Sequence, residues 1–279
     1  MPMLSAHQST STTKLLFIAD SGGGKTGALA SLAASGYNLR IVDTDNGLDV
    51  LRNLLTDPAS EYVKRDPKCA ERVQFVTITD PRKNVNGKLI PRSASVWQRA
   101  VKLLDDWIDG EVHLGPITTW SDRDVLVIDS LTTLSDAALD FILAMNGRLG
   151  QRPQLQDWGA GQDLVENLVE MLYDEGVKCN VIVNCHVTYI GEEGGVLRGY
   201  PNTLGKALPP KIGRYFNTAL MLRSTGTGTN VRRKILTNTS GVVELKNTAP
   251  LKVKPEYDIT WGLAEYFAAV RGTSSASGG

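Results

Sequence analysis

The 279-residue chain carries thirty basic and thirty acidic side chains, so no net field draws it to nucleic acid or to a membrane surface, and its 42% hydrophobic content suffices for a large buried core. No apolar run reaches the length of a membrane span, and the opening MPMLSAHQSTSTTK has no apolar stretch behind a basic start, so the expected location is the cytoplasm. The cysteines Cys69, Cys179 and Cys185 form no C-x-x-C pair and read as reduced buried thiols, and the three histidines, His7, His113 and His186, do not suggest a zinc site.

In chain order, the Ser/Thr-rich residues 1–12 and the small polar residues 271–279 are expected to be disordered tails around one domain, 13–270. Residues 15–19 (LLFIA) read as a strand that breaks into Asp20-Ser21-Gly22-Gly23-Gly24 and restarts as Lys25-Thr26-Gly27 with small helix formers. That is a strand, a phosphate-wrapping loop and a helix start. The glycines let backbone N–H groups turn inward, and the helix N-terminus adds partial positive charge at the same point. Ser21 to Gly27 are therefore the candidate nucleotide-binding residues. Lys25 would reach the β- and γ-phosphates of ATP, and the Thr26 hydroxyl would ligate Mg²⁺.

The stretch fits the P-loop pattern G-x-x-x-x-G-K-[ST] except that Ala19 holds the first position. It also fits G-x-G-x-x-G through Gly22, Gly24 and Gly27, with Asp43 lying about twenty residues on, as a dinucleotide fold requires. That second reading leaves Lys25 and Thr26 without a task, so the P-loop reading is preferred. A glycine-rich turn that binds nothing is the bland alternative.

Ser35-Gly36-Tyr37 ends the first helix, and residues 38–43 (NLRIVD) form a second buried strand, completing a βαβ unit whose ligand site lies at the strands' carboxyl ends. A helix is expected near 48–55, residues 56–72 are polar and unassigned, 73–78 alternate as a third strand, and 80–93 read as a long basic loop. Ser95 is the expected N-cap of an amphipathic helix over 96–108, stopped by Asp109-Gly110. The apolar run 124–128 (DVLVI) ending in Asp129 has the form of a Walker B strand, with Asp129 holding Mg²⁺ opposite Thr26. The alternative for Asp129 is a cap on the next helix, 131–145, but Thr132, Thr133 and Ser135 are available for that.

After a loop over 146–157, a helix is expected over 158–173, with Trp158 a packing residue. Residues 181–184 form a buried strand ending in Cys185-His186, and the chain becomes loop-like from 191. From 194 to 243 there is no acidic residue, while Arg198, Lys206, Arg214, Arg232 and Arg233 are among the basic ones. This is either a nucleic-acid surface inside a neutral protein or a solvated face. Antiparallel strands are expected over 218–222, 231–238 and 242–246, and a closing helix over 259–270.

Taken together, these segments resemble RecA-like recombinases, in particular the small RecA-like ATPases of phages that bind and anneal single-stranded DNA. Beyond the P-loop, IVDTDNGLD at 41–49 is similar to the family's Asp-x-acid-x-small-Leu-Asp segment, VLVIDSLTTL at 125–134 to its Walker B, and VIVNCH at 181–186 to its γ-phosphate-sensing strand. A weaker likeness joins VELKNTAP at 243–250 to a run whose lysines reach the nucleotide of a neighbouring subunit.

The resemblance implies an α/β fold: a RecA-like P-loop NTPase core, a mostly parallel central sheet flanked by helices, and C-terminal antiparallel strands. It implies Lys25, Asp45, Asp129 and His186 as catalytic residues, with Asp45 activating water and His186 reporting the γ-phosphate to a loop over 187–206. In that loop Arg198 and Lys206 would contact the backbone of single-stranded DNA and Tyr200 would stack on a base, although Glu192-Glu193 would repel phosphate. Lys246 would act in trans, which implies a homo-oligomer. The function implied is a Mg²⁺-dependent ATPase in phage-type replication, recombination, annealing or repair. The alternatives left open are a nucleotide-gated DNA-binding module with slow hydrolysis, favoured by the short Asp45, and a packaging or helicase-like P-loop motor.

Overall fold

Unbroken apolar runs such as 125–128 and 181–183 cannot leave either face to solvent, and they become the central strands of a sheet covered on both sides. The structure, a computed structural model, describes residues 12–191, 195, 197–239 and 241–273. The expected tails, apart from residues 12 and 271–273, and the pair Glu192-Glu193 lie outside the described residues.

The chain runs β1 (Lys14–Ala19), α1 (Lys25–Ala28), α2 (Ala30–Ala33), β2 (Asn38–Asp43), α3 (Asp49–Thr56), α4 (Glu61–Arg65) and β3 (Val73–Thr77). It continues through β4 (Arg82–Val85), β5 (Lys88–Pro91), α5 (Val96–Asp105), β6 (Trp107–Asp109), β7 (Val112–Gly115), β8 (Asp124–Asp129), α6 (Leu131–Met145) and α7 (Leu155–Tyr173). It closes with β9 (Asn180–Gly191), β10 (Leu197–Pro201), α8 (Pro209–Ile212), β11 (Thr218–Thr225), β12 (Arg232–Leu236), β13 (Glu256–Asp258) and α9 (Gly262–Arg271).

The main sheet has the order β13-β12-β11-β1-β9-β8-β2-β3, with β10 paired to β9 off this path. From β11 to β3 all neighbours are parallel, and β12 and β13 add antiparallel strands at one edge. The fold is thus α/β with a RecA-like, mostly parallel sheet and C-terminal antiparallel strands. Alternation along β1 feeds two cores: Leu16 and Ile18 pack with Leu104, Leu134 and Val165 from α5, α6 and α7, whereas Leu15 and Phe17 pack with Leu29, Leu51 and Phe267 from the other layer. Strand β9 is inserted between β1 and β8, so its tip lies between the P-loop and Asp129. That insertion decides which side chains can meet at the loop.

Several local expectations need correction. Residues 82–91 form a hairpin, β4 and β5, rather than a loop, because Asn86 and Gly87 both take positive φ (51° and 81°), the geometry that a two-residue turn needs. The helix expected over 96–108 stops at Asp105, and 107–115 form a second hairpin. Its cap is not the Ser95 side chain; Asp80 accepts the N–H groups of Ser95 and Val96 at 2.9 and 3.3 Å and the hydroxyls of Ser93 and Ser95. The helix expected over 158–173 begins at Leu155, three residues early, where Gln154 and Asp157 make a capping box.

Strand β9 runs on to Gly191 and folds back as β10, so much of the expected 187–206 loop is a hairpin. Residues 242–246 make only isolated bridges, Gly199 to Val243 and Ala219 to Lys246; the third antiparallel position belongs to β13. The polar stretch 56–72, which showed no clear pattern, contains α4, capped by the Ser60 hydroxyl. The three cysteines are free and buried, and burial pushes the Cys185 thiol up to about 12.

Candidate functional site

Parallel strands deliver their last residues to one edge, and here that edge carries the polar groups the apolar strands lack. In register across it stand Ala19 beside His186, Asn184 beside Asp129, and Asp129 beside Asp43. The chain leaves β1 through a loop in which Gly22 and Gly24 adopt φ of 70° and 104°, conformations that a Cβ would strain. A Cβ on Gly23 would come within 2.9 Å of the Ala19 side chain, so this position too has no room for one. Gly24 caps α1 without a side-chain hydrogen bond, leaving backbone N–H groups aimed at the cavity in front.

That cavity is about 1050 Å³ and is lined by the whole of 22–27. Lys25 reaches into it, 94% shielded from solvent, with its Nζ 3.3 Å from His186 Nδ1 and 3.4 and 3.5 Å from the carbonyls of Ala19 and Asp20. These are long contacts for an ammonium. Burial lowers the Lys25 pKa and raises that of Asp129; their mutual attraction opposes both shifts. The Thr26 hydroxyl donates to Asp129 Oδ2 at 2.7 Å, so the two expected metal ligands face each other. Asp129 is free for this because Ser130, not Asp129, caps α6, accepting from Thr133 N. The peptide bond between Asp129 and Ser130 is cis.

Asp45 lies on the same edge, held from three directions. The Ser130 hydroxyl donates to its Oδ1 at 3.2 Å, His186 Nε2 stands 3.9 Å from its Oδ2, and its backbone N–H donates to the buried Asp43. Asp43 also accepts from Gly47 N and the Thr77 hydroxyl, which ties the 43–47 loop to the sheet. The acid that a dinucleotide fold would require is therefore spent on loop structure. His186 has its pKa lowered by burial and by Lys25. A neutral imidazole that accepts from Lys25 at Nδ1 keeps its proton on Nε2, toward Asp45. The ring thus links the P-loop lysine to the Asp45 carboxylate.

Sequence reasoning missed two residues here. Asn184 is fully buried against Asp129, and among the described residues neither its Oδ1 nor its Nδ2 makes a hydrogen bond of normal geometry. The amide helps to hold down the Asp129 pKa without a well-formed bond to it, and a buried amide so poorly satisfied is costly; water or a bound cation's hydration shell would satisfy it. The signal was a polar residue inside the run VIVN. Arg233 also lines the cavity, although its strand lies at the antiparallel edge.

For a nucleotide with Mg²⁺ the fit is good: glycines that admit close approach, a buried lysine, a hydroxyl facing a carboxylate, and an orphaned amide beside them. Among the described residues no cluster of three His, Cys, Asp or Glu could hold a metal, so a cation here would draw on Thr26, Asp129, phosphate oxygens and water. The far half of the cavity has apolar walls from Val50, Leu54 and Ile259 and polar groups from Asn53 and Ser60.

Other expected site residues lie elsewhere. Ser21 is an exposed part of the loop, and Lys246 is outside the cavity wall, bridged to Ala219. Arg198 and Tyr200 sit on β10, and Lys206 in the turn that follows. Arg198 pairs with Glu244 at 2.8 Å, Lys211 and Arg214 reach Glu166, and Lys234 pairs with Glu256. The acid-free stretch of sequence is thus interleaved in space with carboxylates from outside it. No helix among the described residues is long and apolar enough to cross a membrane.

Residues 11–248 match the family described as AAA domain. No curated protein matches the sequence. Among solved structures, the RadB recombinase is similar over 90% of this chain and 89% of its own, at 13% identity and a TM-score of 0.46. A KaiC-like protein of Pyrococcus horikoshii is similar over 88% and 83% at 12% identity and 0.41, and the flagellar accessory protein FlaH of Methanocaldococcus jannaschii over 88% and 83% at 11% and 0.40.

Proposed function

Taking as premise that the chain belongs to the AAA domain family and carries a RecA-like P-loop ATPase fold, we propose that it binds Mg²⁺-ATP in this cavity and hydrolyses it in response to single-stranded DNA. The observation that carries the reading is the convergence of Lys25, Thr26, Asp45, Asp129 and His186 from separate segments of the chain on one cavity wall. Phosphoryl transfer to water asks for positioning and charge neutralisation rather than covalent chemistry, and in this reading these residues would supply both.

In this reading the 22–27 amides and Lys25 hold the phosphates, and Thr26 and Asp129 hold the cation, which would neutralise charge on the phosphate oxygens. Asp45, fixed by Ser130, orients or deprotonates the attacking water. His186 carries the γ-phosphate state into β9 and so to the β9–β10 hairpin, on which Arg198 and Tyr200 lie, with Lys206 beyond. The same strand that senses the nucleotide becomes one arm of the proposed DNA-binding element. Lys246, outside its own cavity, would serve a neighbouring copy in a homo-oligomer. A cytoplasmic role in phage-type replication, recombination or annealing fits this set of parts.

The test is phosphate release from ATP with Mg²⁺, with and without a single-stranded oligonucleotide, across a range of salt. Stimulation that fades as salt rises is the expected result, because backbone binding releases counterions. Turnover indifferent to the oligonucleotide would keep the ATPase and remove DNA from the proposal. A second reading, nucleotide-gated binding with slow hydrolysis, is favoured by Asp45 itself, whose carboxylate is already engaged by Ser130. Faster turnover in Asp45→Glu would support it.

A further inference from the structure

The groups expected to act on the γ-phosphate and the cation all lie on one side of β1. Asp129 ends β8, His186 lies in β9, and Asp45 follows β2, each on the β9 side of the P-loop strand. On the other side, two strands away, β12 presents Arg233. Register dictates its direction: Ile235 is fully buried in the core layer beneath α1 and α2, so Arg233, two residues earlier, projects on the same face. Its backbone is held as well, since the Arg233 carbonyl accepts from Ile259 N at 3.2 Å and its strand position pairs with Ser224.

The side chain ends over the P-loop. Arg233 Cδ and Nε lie 3.3 and 3.6 Å from the point a Cβ on Gly24 would occupy, and Ile259 Cδ1 lies 2.8 Å from it. The absence of a side chain at Gly24 is what lets the arginine stand so close to the loop. Among the described residues no carboxylate is within ion-pair distance of Arg233, in contrast to Lys234 beside it, which pairs with Glu256. Among the described residues lining the cavity, Lys25 and Arg233 carry the positive charge, against Asp45, Asp57, Glu61 and Asp129. A polyphosphate entering this cavity needs more than one cation, and the second is on the flank away from the hydrolytic cluster.

We propose that Arg233 binds the nucleotide from within the same chain, contacting the α- and β-phosphates across Gly24, opposite the flank where Lys25, Asp45 and His186 await the γ-phosphate. This rests on the nucleotide reading of the cavity and adds to it a cis arginine from the C-terminal antiparallel edge. A planar guanidinium suits two phosphate oxygens at once.

The experiment is calorimetric titration of the full chain, without DNA, with Mg²⁺-ADP and with a slowly hydrolysed ATP analogue. Arg233→Ala is expected to weaken both by a similar factor, about tenfold to a hundredfold. Arg233→Lys should recover part of the loss, and Arg232→Ala, which removes the same charge from the opposite face of the strand, should leave both affinities unchanged. Thermal melting without nucleotide checks that each variant folds. Unchanged affinities in a folded Arg233→Ala would overturn the proposal, as would a loss confined to the triphosphate, which would put the guanidinium at the γ-phosphate. If the wild type binds neither nucleotide, the reading of the cavity itself fails and this inference goes with it.

Discussion

Strand β9 carries two fully buried asparagines, Asn180 at its start and Asn184 near the sheet's carboxyl edge, in opposite conditions. Asn180 is saturated: its Oδ1 accepts from Thr13 N and Arg271 Nη2, and its Nδ2 donates to the carbonyls of Asp122 and Asp124. Asn184 has no such set: it faces the Asp129 carboxylate, whose pKa it helps to hold down, but neither of its polar atoms makes a well-formed hydrogen bond among the described residues. The two buried lysines repeat the contrast. Lys14, at the closed edge, donates to the carbonyls of Val177 and Cys179 at 2.6 and 3.2 Å, whereas each of Lys25's contacts is 3.3 Å or longer. One edge of the sheet uses its buried polar groups to close the fold. The other leaves them incomplete, which is the condition a ligand site needs, since a saturated group has nothing left to offer.

The sharpest way to break this contrast is at the lysines. Lys25→Ala should lower Mg²⁺-ATP turnover by about a thousandfold or more while shifting the melting temperature of the nucleotide-free protein little, because the lost contacts are weak. Phosphate release and a thermal melt decide it, and full activity in the variant would remove the site. At the asparagines the effect should invert. Asn180→Leu strands the Thr13 N–H in a buried region and takes one acceptor from the Arg271 guanidinium, and a loss of about 3 kcal/mol in urea unfolding is expected with nucleotide affinity retained. Asn184→Leu replaces a poorly bonded amide by an apolar group with the same number of heavy atoms. Its nucleotide-free form should be as stable as the wild type or about 1 kcal/mol more stable, while the stabilisation conferred by Mg²⁺-ADP shrinks.

The open edge was the more legible of the two in the sequence. A P-loop is local, and a Walker B strand is a local apolar run with a terminal acid, so Lys25, Thr26 and Asp129 could be named from spacing alone. Their convergence with Asp45 and His186 followed from the family resemblance, which fixes strand order. What could not be read was everything that depends on partners distant in the chain. Arg233 belonged to a basic run whose neighbours only the β11–β12 register reveals, and Asn180 looked no different from Asn184.

The acid-free stretch misleads for the same reason, since Glu166, Glu244 and Glu256 enter it through space. The β4–β5 hairpin does carry a local signal: Asn86-Gly87 is a hairpin turn in two letters. Asp80 is the opposite case, a cap supplied from sixteen residues before the first residue of the helix it serves.

A change of pH, with no loss of the side chain in the wild type, tests the closed edge. Burial lowers the Lys14 pKa from 10.5 to about 8, so the folded protein gives up this proton before the unfolded chain does. Below pH 8 both states hold the proton and the full cost of burying the charge is present. Between about 8 and 10.5 the unfolded state binds more protons, so stability rises with pH and the cost is relieved. Relative to Lys14→Met, which has no such proton, the wild type should gain about 1.4 kcal/mol between pH 7 and pH 9 in paired urea titrations. The sign matters more than the size. A lysine that behaves as Lys25 is proposed to, waiting for an anion, would lose its slope when nucleotide is added, because the phosphate charge opposes the burial that lowers its pKa. Lys14 should show the same slope with and without it, because its two carbonyls are already its ligands.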